Sequence, residues 1–375
     1  MGIILFGAGK IGNKFIESQC FKRLKSETDN IVFYDNNKAL PTVINGVKRL
    51  DKLETMSQNE NVEIIITCAA WTEVYRLCIQ NGYKIIKIYD EKSDEILTIR
   101  DYCKRNVRYY ENWECAKYHS EKNKEVLTNK ERFLKTGDLF GNMTEVAIML
   151  SNLCNYAEIH QKCPASCILE KQIMPSRIVY KILDELAMSK YHGTICFHIY
   201  NEPLIDPRLF MFIQYIKKTM PSAKVKIYSN GYYLNTTMFE ELHEIGTNVL
   251  FTTGYGKHEY ERLIELDTEM GMALSVCYGN LDDRMDYYTK KSTTHIVSND
   301  ICDTYLYQIP IYSNGDIGTC CLDYRHPYGL GNINECSLEN CLRDRRIIDF
   351  QMKLLRGDRT TFPICTNCCW RRGYS

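Results

Sequence analysis

Eleven of the eighteen cysteines fall into two groups. Cys154, Cys163 and Cys167 form the first; Cys302, Cys320, Cys321, Cys336, Cys341, Cys365, Cys368 and Cys369 crowd the last quarter. Such grouping constrains a fold more than any hydrophobic pattern, because clustered thiols are bridged to one another or bound to metal, and either demands a convergent backbone. Met1–Phe6 runs straight into glycines without a basic segment ahead of it, so the expected compartment is the cytoplasm. Disulfides are disfavoured there, and clustered cysteines more often bind metal or act in catalysis. Cys20, Cys68, Cys78, Cys103, Cys115, Cys196 and Cys277 are scattered and read as small buried hydrophobes.

The 375 residues suggest two or three domains, and a hydrophobic fraction of 45% is ample for their cores. Formal net charge is zero, which excludes strong attraction to nucleic acid or to an acidic membrane. No stretch approaches the roughly 18 apolar residues of a membrane helix.

Residues 1–98 alternate strand and helix. Ile3–Phe6 is an apolar strand, Ile31–Tyr34 a second ending in Asp35, and Val62–Thr67 and Ile85–Tyr89 two more, with a helix over Glu73–Gln80. Alternation of this kind implies a parallel sheet. Residues 99–140 are rich in Lys, Arg, Glu, Tyr and Asn, show no clean period, and read as a connector with some helix. Alternation returns over 141–297, with strands at Val146–Ser151, Ile195–Tyr200, Val225–Tyr228, Val249–Thr252 and Leu274–Cys277. Helices fall at Pro175–Lys190, Leu209–Lys218, Thr237–Ile245 and near Glu259–Met270. This suits a partial or full parallel barrel, whose chemistry sits at the C-terminal strand ends. In 298–375, Tyr305–Tyr312 and Asp316–Cys320 flank Ser313-Asn314-Gly315, a hairpin signal because both Asn and Gly tolerate positive φ. Cys336 and Cys341 read as packing residues.

Three cysteines in a loop after the first barrel strand suit three irons of a [4Fe–4S] cluster, the fourth iron staying open for a ligand. Zinc is the rival, with His160 as a fourth donor. Tyr200-Asn201-Glu202-Pro203 ends the second barrel strand, and Ser229-Asn230-Gly231 ends the third. Glu202 and nearby carbonyls suit an ammonium group; Ser229 and Asn230 suit a carboxylate or a ribose hydroxyl. In this order and strand context, the segments resemble those of the radical S-adenosylmethionine superfamily, which usually has glycine–glutamate–proline at the second strand. Eight residues separate Cys154 from Cys163 and three separate Cys163 from Cys167, where the family commonly has three and two. Ser166 stands where the family has an aromatic residue, which leaves open how the adenine is held.

In the tail, Cys302 is followed by twelve residues, Gly315, four more and Cys320, and Cys365-Thr366-Asn367-Cys368 lies further on. This resembles the auxiliary-cluster extension called SPASM, or its shorter form, twitch. No cysteine follows Cys369, so the expectation is the short form with one [4Fe–4S] cluster on Cys302, Cys320, Cys365 and Cys368. Cys321 and Cys369 adjoin two of these ligands and are alternatives to them. A structural four-cysteine zinc site competes with this reading.

Gly7, Gly9 and Gly12 stand between a strand and a helix, with Asp35 ending the next strand. This is the dinucleotide fingerprint: glycines for a tight turn and close phosphate approach, an acid for ribose hydroxyls. The segment resembles the Rossmann-like modules of bacterial sugar-modifying acyltransferases and methyltransferases, which implies a ligand such as NAD or a nucleotide-sugar, or a protein partner.

The expected fold class is therefore α/β: an N-terminal Rossmann-like parallel sheet, a radical S-adenosylmethionine partial (β/α)6 TIM barrel, and a small cysteine-rich SPASM/twitch domain. The resemblance implies S-adenosylmethionine on the Cys154/Cys163/Cys167 cluster, an external electron donor of flavodoxin or ferredoxin type, cleavage to a 5′-deoxyadenosyl radical, and hydrogen abstraction from a small-molecule substrate. Twitch-bearing relatives dehydrogenate aminocyclitols, so oxidation or epimerisation of a sugar or cyclitol is expected. The rival readings are peptide modification and a zinc-stabilised Rossmann oxidoreductase or binding module. No general base can be chosen from the sequence.

Overall fold

The computed structural model describes residues 2–50, 52–53, 61–106, 109–160, 163–167, 170–279, 301–320, 323, 329–361, 363–366 and 368. The alternative ligands Cys321 and Cys369 lie outside them. The chain divides into two compact units, Met1–Ser120 and Glu121–Ser375.

The first unit is built on β1 (Gly2–Phe6), five residues buried along their whole length. α1 (Lys10–Glu17) and α2 (Gln19–Glu27) lead to β2 (Ile31–Tyr34), then β3 (Val43–Ile44), β4 (Val47–Arg49), β5 (Val62–Ile66), α3 (Trp71–Gln80), β6 (Ile85–Asp90), β7 (Glu95–Thr98), α4 (Ile99–Asn106) and β8 (Tyr110–Glu111). The sheet order is β3-β4-β2-β1-β5-β6-β7. Its central run is parallel and only the two outer pairs are antiparallel. Phe15 of α1 and Phe21 of α2 close one face over Leu5 and Phe33. The strand-and-helix reading passes over the β3–β4 hairpin, although Asn45 (φ 48°) and Gly46 (φ 81°) carry its signal.

α5 (Trp113–Thr136) makes up much of the segment 99–140, where the expectation was a connector with some helix. Cys115, Tyr118, Lys122, Val126, Asn129 and Phe133 are all buried and recur at helical spacing. A lysine and an asparagine occupy core positions, which breaks the apolar pattern that sequence reading relies on.

In the second unit β9 (Glu145–Ile148) is followed by α6 (Pro164–Cys167), α7 (Ser176–Met188), β10 (Thr194–Cys196), α8 (Leu209–Thr219), β11 (Lys224–Ser229), α9 (Thr236–Glu244), β12 (Val249–Tyr255), α10 (Lys257–Met270) and β13 (Leu274–Gly279). α11 (Thr304–Tyr307), β14 (Ile309–Ile311), α12 (Leu338–Leu342), α13 (Arg345–Leu355) and α14 (Pro363–Thr366) complete it. Its strands lie in the order β14-β9-β10-β11-β12-β13, and every neighbour is parallel. Parallel pairing sends all the strand C-termini to one edge. No helix among the described residues is long and apolar enough to cross a membrane.

Three local expectations change. β10 stops at Cys196 because the Asn201 side chain accepts from Ile199 N and donates to Phe197 O, in place of a ladder. The Asn314–Gly315 turn forms, with Gly315 at φ 90° and Tyr312 N donating to Asp316 O. The strand before it is shorter than Tyr305–Tyr312, because Tyr307 and Gln308 bond back to Asp303 and Thr304 in a helical turn. Cys336 and Cys341, expected only to pack, are joined as a disulfide. Gly331 makes room for this pair: a Cβ there would lie 3.0 Å from the Cys341 sulfur.

At the N-terminal end of this sheet Glu145 is fully buried, with Lys122 on one carboxylate oxygen and Lys226 Nζ 3.6 Å from it. Gln308 donates to the other oxygen. Burial pushes the Glu145 carboxyl up, but the two ammonium groups win and hold it at about 2. A Glu145→Gln substitution leaves two buried cations without their anion, at a cost of about 3–5 kcal/mol at neutral pH. Because the folded pKa is depressed, that difference is full above the ordinary 4.5 and shrinks as pH falls towards 2. Urea unfolding of both proteins at steps from pH 7 down to about pH 2.5 checks it.

Candidate radical site and auxiliary cluster site

The loop bearing Cys154, Cys163 and Cys167 leaves β9 and returns before α7. Asn152 closes its neck by donating to Glu170 O at 2.6 Å and accepting from Gln172 N at 2.8 Å. Arg208 braces the outer side, donating to Met174 O at 2.8 Å and pairing with Asp206 at 2.7 Å. Cys163 sits where the chain turns into α6, its N–H on His160 O. Ser166 turns its hydroxyl onto the same carbonyl. Burial pushes the Cys154 thiol up, and nearby Cys163 adds to this. The Cys154 sulfur accepts from Tyr156 N at 3.4 Å.

Glu202 is 1% exposed, in the turn that follows the second barrel strand, six residues beyond its last residue Cys196. A carboxylate at that depth must be met by donors. Ser229 Oγ lies 2.7 Å from Oε1, Asn230 N 2.7 Å from Oε2 and Leu204 N 3.1 Å from Oε1. Burial still dominates and pushes the carboxyl up to about 7. Asn230 then donates to Asn155 Oδ1 at 2.7 Å, with the Cys154 sulfur 3.9 Å away. Glu202 N also donates to Leu153 O. The residues expected to contact a ligand directly are thus bonded to each other, and they tie the loops after β9, β10 and β11 into one unit. Three of the roughly four acceptor positions of the Glu202 carboxylate are filled. Tyr200 stacks on Tyr312, rings 6.2 Å apart, and Asn201 O accepts from His198 Nδ1 at 2.7 Å.

The parallel register defines one common sheet face. Cys196 pairs with Ala147 and Lys226, Tyr228 with Phe251, and Phe251 with Ser275. Along this face the strand starts are buried, but His198, Tyr228, Asn230, Phe251, Thr253 and Tyr255 are partly exposed, while their alternate neighbours are buried. The exposed layer opens towards the edge that carries the cysteine loop. Sequence analysis missed it; the signal was the alternation of His198 and Tyr228 with Phe197 and Ile227. Cys277 belongs to the same face and Cys68 to the glycine turn, so both are partly exposed rather than buried as expected.

In the tail, Cys302 N donates to Leu354 O at 3.1 Å and Cys302 O accepts from Gln351 Nε2 at 2.9 Å, so α13 positions this thiol. Burial, then the thiols of Cys302 and Cys368, push the Cys365 thiol up to about 12. Cys320 O accepts from Tyr312 Oη at 3.1 Å. Thiols thus approach one another in two places. Among the described residues, no three His, Cys, Asp or Glu side chains meet the spacing that holds a metal ion. The chemistry of the tail's donor set, four partly exposed thiols, fits iron–sulfur ligation.

In the first unit Gly7 has φ 108°, and a Cβ on Gly12 would fall 2.2 Å from Gly7 O. Asp35 Oδ2 accepts from Ala8 N and Oδ1 from Asn37 N, both at 2.8 Å. Nothing stands within 4 Å of a Cβ built on Gly9. The glycine turn and Asp35 thus lie side by side, but both Asp35 oxygens, expected to face ribose hydroxyls, accept from the backbone around the turn.

Residues 302–369 match the SPASM iron–sulfur cluster-binding domain. The S-adenosyl-L-methionine-dependent 2-deoxy-scyllo-inosamine dehydrogenase of Niallia circulans is 25% identical over 221 residues, 55% of this chain and 85% of that protein. Residues 302–369 are thus of SPASM type, and the chain is similar over 221 residues to an S-adenosyl-L-methionine-dependent dehydrogenase. The fold of a crystal structure of BtrN with AdoMet and 2-DOIA covers 61% of this chain and 93% of that one, at 21% identity and a TM-score of 0.51.

Two substitutions test these assemblies. Glu202→Gln puts an amide hydrogen against the backbone N–H of either Asn230 or Leu204, so S-adenosylmethionine binding weakens about tenfold or more, the scale of one charge-assisted hydrogen bond. Equilibrium dialysis on anaerobic protein with unchanged iron content reads this. Gly12→Ala forces the Gly7 carbonyl aside and destabilises the first unit by about 1–3 kcal/mol, seen as earlier proteolysis of residues 2–106.

Proposed function

We propose that this enzyme oxidises a secondary alcohol of an aminocyclitol or related sugar-type molecule to a carbonyl. The observation that carries the reading is the similarity, over 85% of its length, to an enzyme named as a 2-deoxy-scyllo-inosamine dehydrogenase. That similarity concerns an alcohol oxidation, and the reading passes over epimerisation and peptide modification for that reason. The layout that goes with it is a Rossmann-like domain over 1–98, a connector over 99–140, a partial barrel over 141–297 and a twitch-type domain over 298–375.

In this reading Cys154, Cys163 and Cys167 hold the radical-site cluster, and Cys302, Cys320, Cys365 and Cys368 hold the auxiliary one. S-adenosylmethionine, bound by its amine and carboxylate, supplies a hydrogen-abstracting 5′-deoxyadenosyl radical after reduction by an external flavodoxin- or ferredoxin-type donor. The protein's own work is to bind, orient and exclude water. The Glu202–Ser229–Asn230 assembly holds the strand ends in register around the ligand. Four thiolates from Cys302, Cys320, Cys365 and Cys368 would hold the auxiliary cluster, and the chemistry it would supply is electron acceptance rather than substrate ligation. For the first unit the reading is a nucleotide-type ligand, NAD or a nucleotide-sugar, on the Gly7, Gly9, Gly12 and Asp35 turn. The pairing of Asp35 with that turn supports it, because it holds the carboxylate beside the glycines.

Anaerobic protein should contain about eight irons per chain, falling to about four in a Cys154→Ala/Cys163→Ala/Cys167→Ala variant. With dithionite and S-adenosylmethionine, 2-deoxy-scyllo-inosamine should yield a ketone and one 5′-deoxyadenosine per turnover. Zinc in place of iron, or 5′-deoxyadenosine formed only with a peptide, would sink the reading.

A further inference from the structure

We propose that His198 is the proton acceptor of this reaction, taking the hydroxyl proton of the substrate alcohol from the open face of the barrel sheet. The inference rests on the dehydrogenase reading above. An alcohol carbon that has given a hydrogen atom to the 5′-deoxyadenosyl radical must still lose one proton and one electron. The O–H bond breaks as C=O forms; the electron goes to the auxiliary cluster, and the proton needs a base beside the oxygen.

His198 is the partly exposed residue in a run, from Gly193 to Tyr200, that is otherwise buried. Its neighbour Phe197 points the other way and packs on Phe212 of α8, rings 6.2 Å apart. The imidazole therefore faces the interior of the sheet, 5.6 Å from the Tyr228 ring, and Tyr228 in turn lies 5.0 Å from Phe251. These three form one layer across β10, β11 and β12. Asn230, two residues beyond Tyr228, touches the Cys154 loop. Two residues of strand advance the chain by about 6.6 Å. The layer thus sits about one small molecule below the residue that touches the cysteine loop.

The tautomer is fixed. A carbonyl only accepts, so Nδ1 carries a hydrogen for Asn201 O, and in the neutral ring Nε2 carries the lone pair. Four other ionisable side chains of this face suit the role less well. Glu145 and Lys226 are committed to each other on the buried floor, and Cys196 is 0% exposed. Burial pushes the Tyr228 phenol far up, which makes it a hydrogen-bond donor rather than a base. Of the side-chain types present, imidazole is the one that exchanges a proton near neutral pH.

The test uses anaerobic holoenzyme, S-adenosylmethionine and 2-deoxy-scyllo-inosamine, with wild type, His198→Gln and His198→Ala. If His198 accepts the proton, ketone formation falls at least about 100-fold, the scale of a lost general base. 5′-Deoxyadenosine continues to form, and a carbon-centred substrate radical accumulates in freeze-quenched EPR samples. Added imidazole restores ketone to the alanine variant. Iron content shows that the variants have folded, and the glutamine variant serves if the alanine variant loses its iron. Ketone formation within threefold of wild type, or loss of ketone with no radical signal and no imidazole rescue, overturns the assignment alone. Wild-type protein that oxidises no cyclitol removes the dehydrogenase reading, and the inference with it.

Discussion

A carboxylate removed from water must be surrounded by donors, and Glu202 finds them on two different loops. Ser229 Oγ and Asn230 N come from the end of β11, and Leu204 N from its own turn. Because Asn230 also grips Asn155, the cysteine loop is fixed through the same contact. The edge where the strands end is thus held by side chains rather than by the sheet ladder, which has already run out. Loss of a single donor there would be felt by three loops at once.

The opposite end of the sheet follows the reverse logic. Glu145, Lys122, Lys226 and Gln308 are sealed from solvent and committed to one another. Between this closed floor and the organised rim lies the layer of His198, Tyr228 and Phe251, partly open and mostly aromatic. One polar group among ring faces suits a polyhydroxylated ring, whose C–H faces pack on aromatics while a chosen hydroxyl meets a base.

Much of this was legible in the sequence. β1, β2, β5 and β6 are dense apolar runs bounded by turn residues, and they appear within a residue or two of expectation. Cysteine spacing marked the tail, because ligation demands particular residue types whatever the fold. Two classes of feature escaped. α5 was hidden because Lys122 and Asn129 sit at core positions, which makes a buried stripe look like a polar connector. Sequence chemistry marks Glu202, Ser229 and Asn230 as candidate ligand contacts, but it does not show that they also bond to one another. His198 was passed over for a related reason. Its meaning depends on facing inward beside Tyr228, which requires the strand register.

α5 has a practical consequence for dissecting the chain. Lys122 reaches the floor of a sheet whose first strand begins 23 positions later, at Glu145. A fragment cut at the apparent start of the barrel, near residue 141, would strand Glu145 with one cation in place of two. A shortened version meant to keep the catalytic portion intact therefore has to be cut upstream of Lys122, taking most of α5 with it.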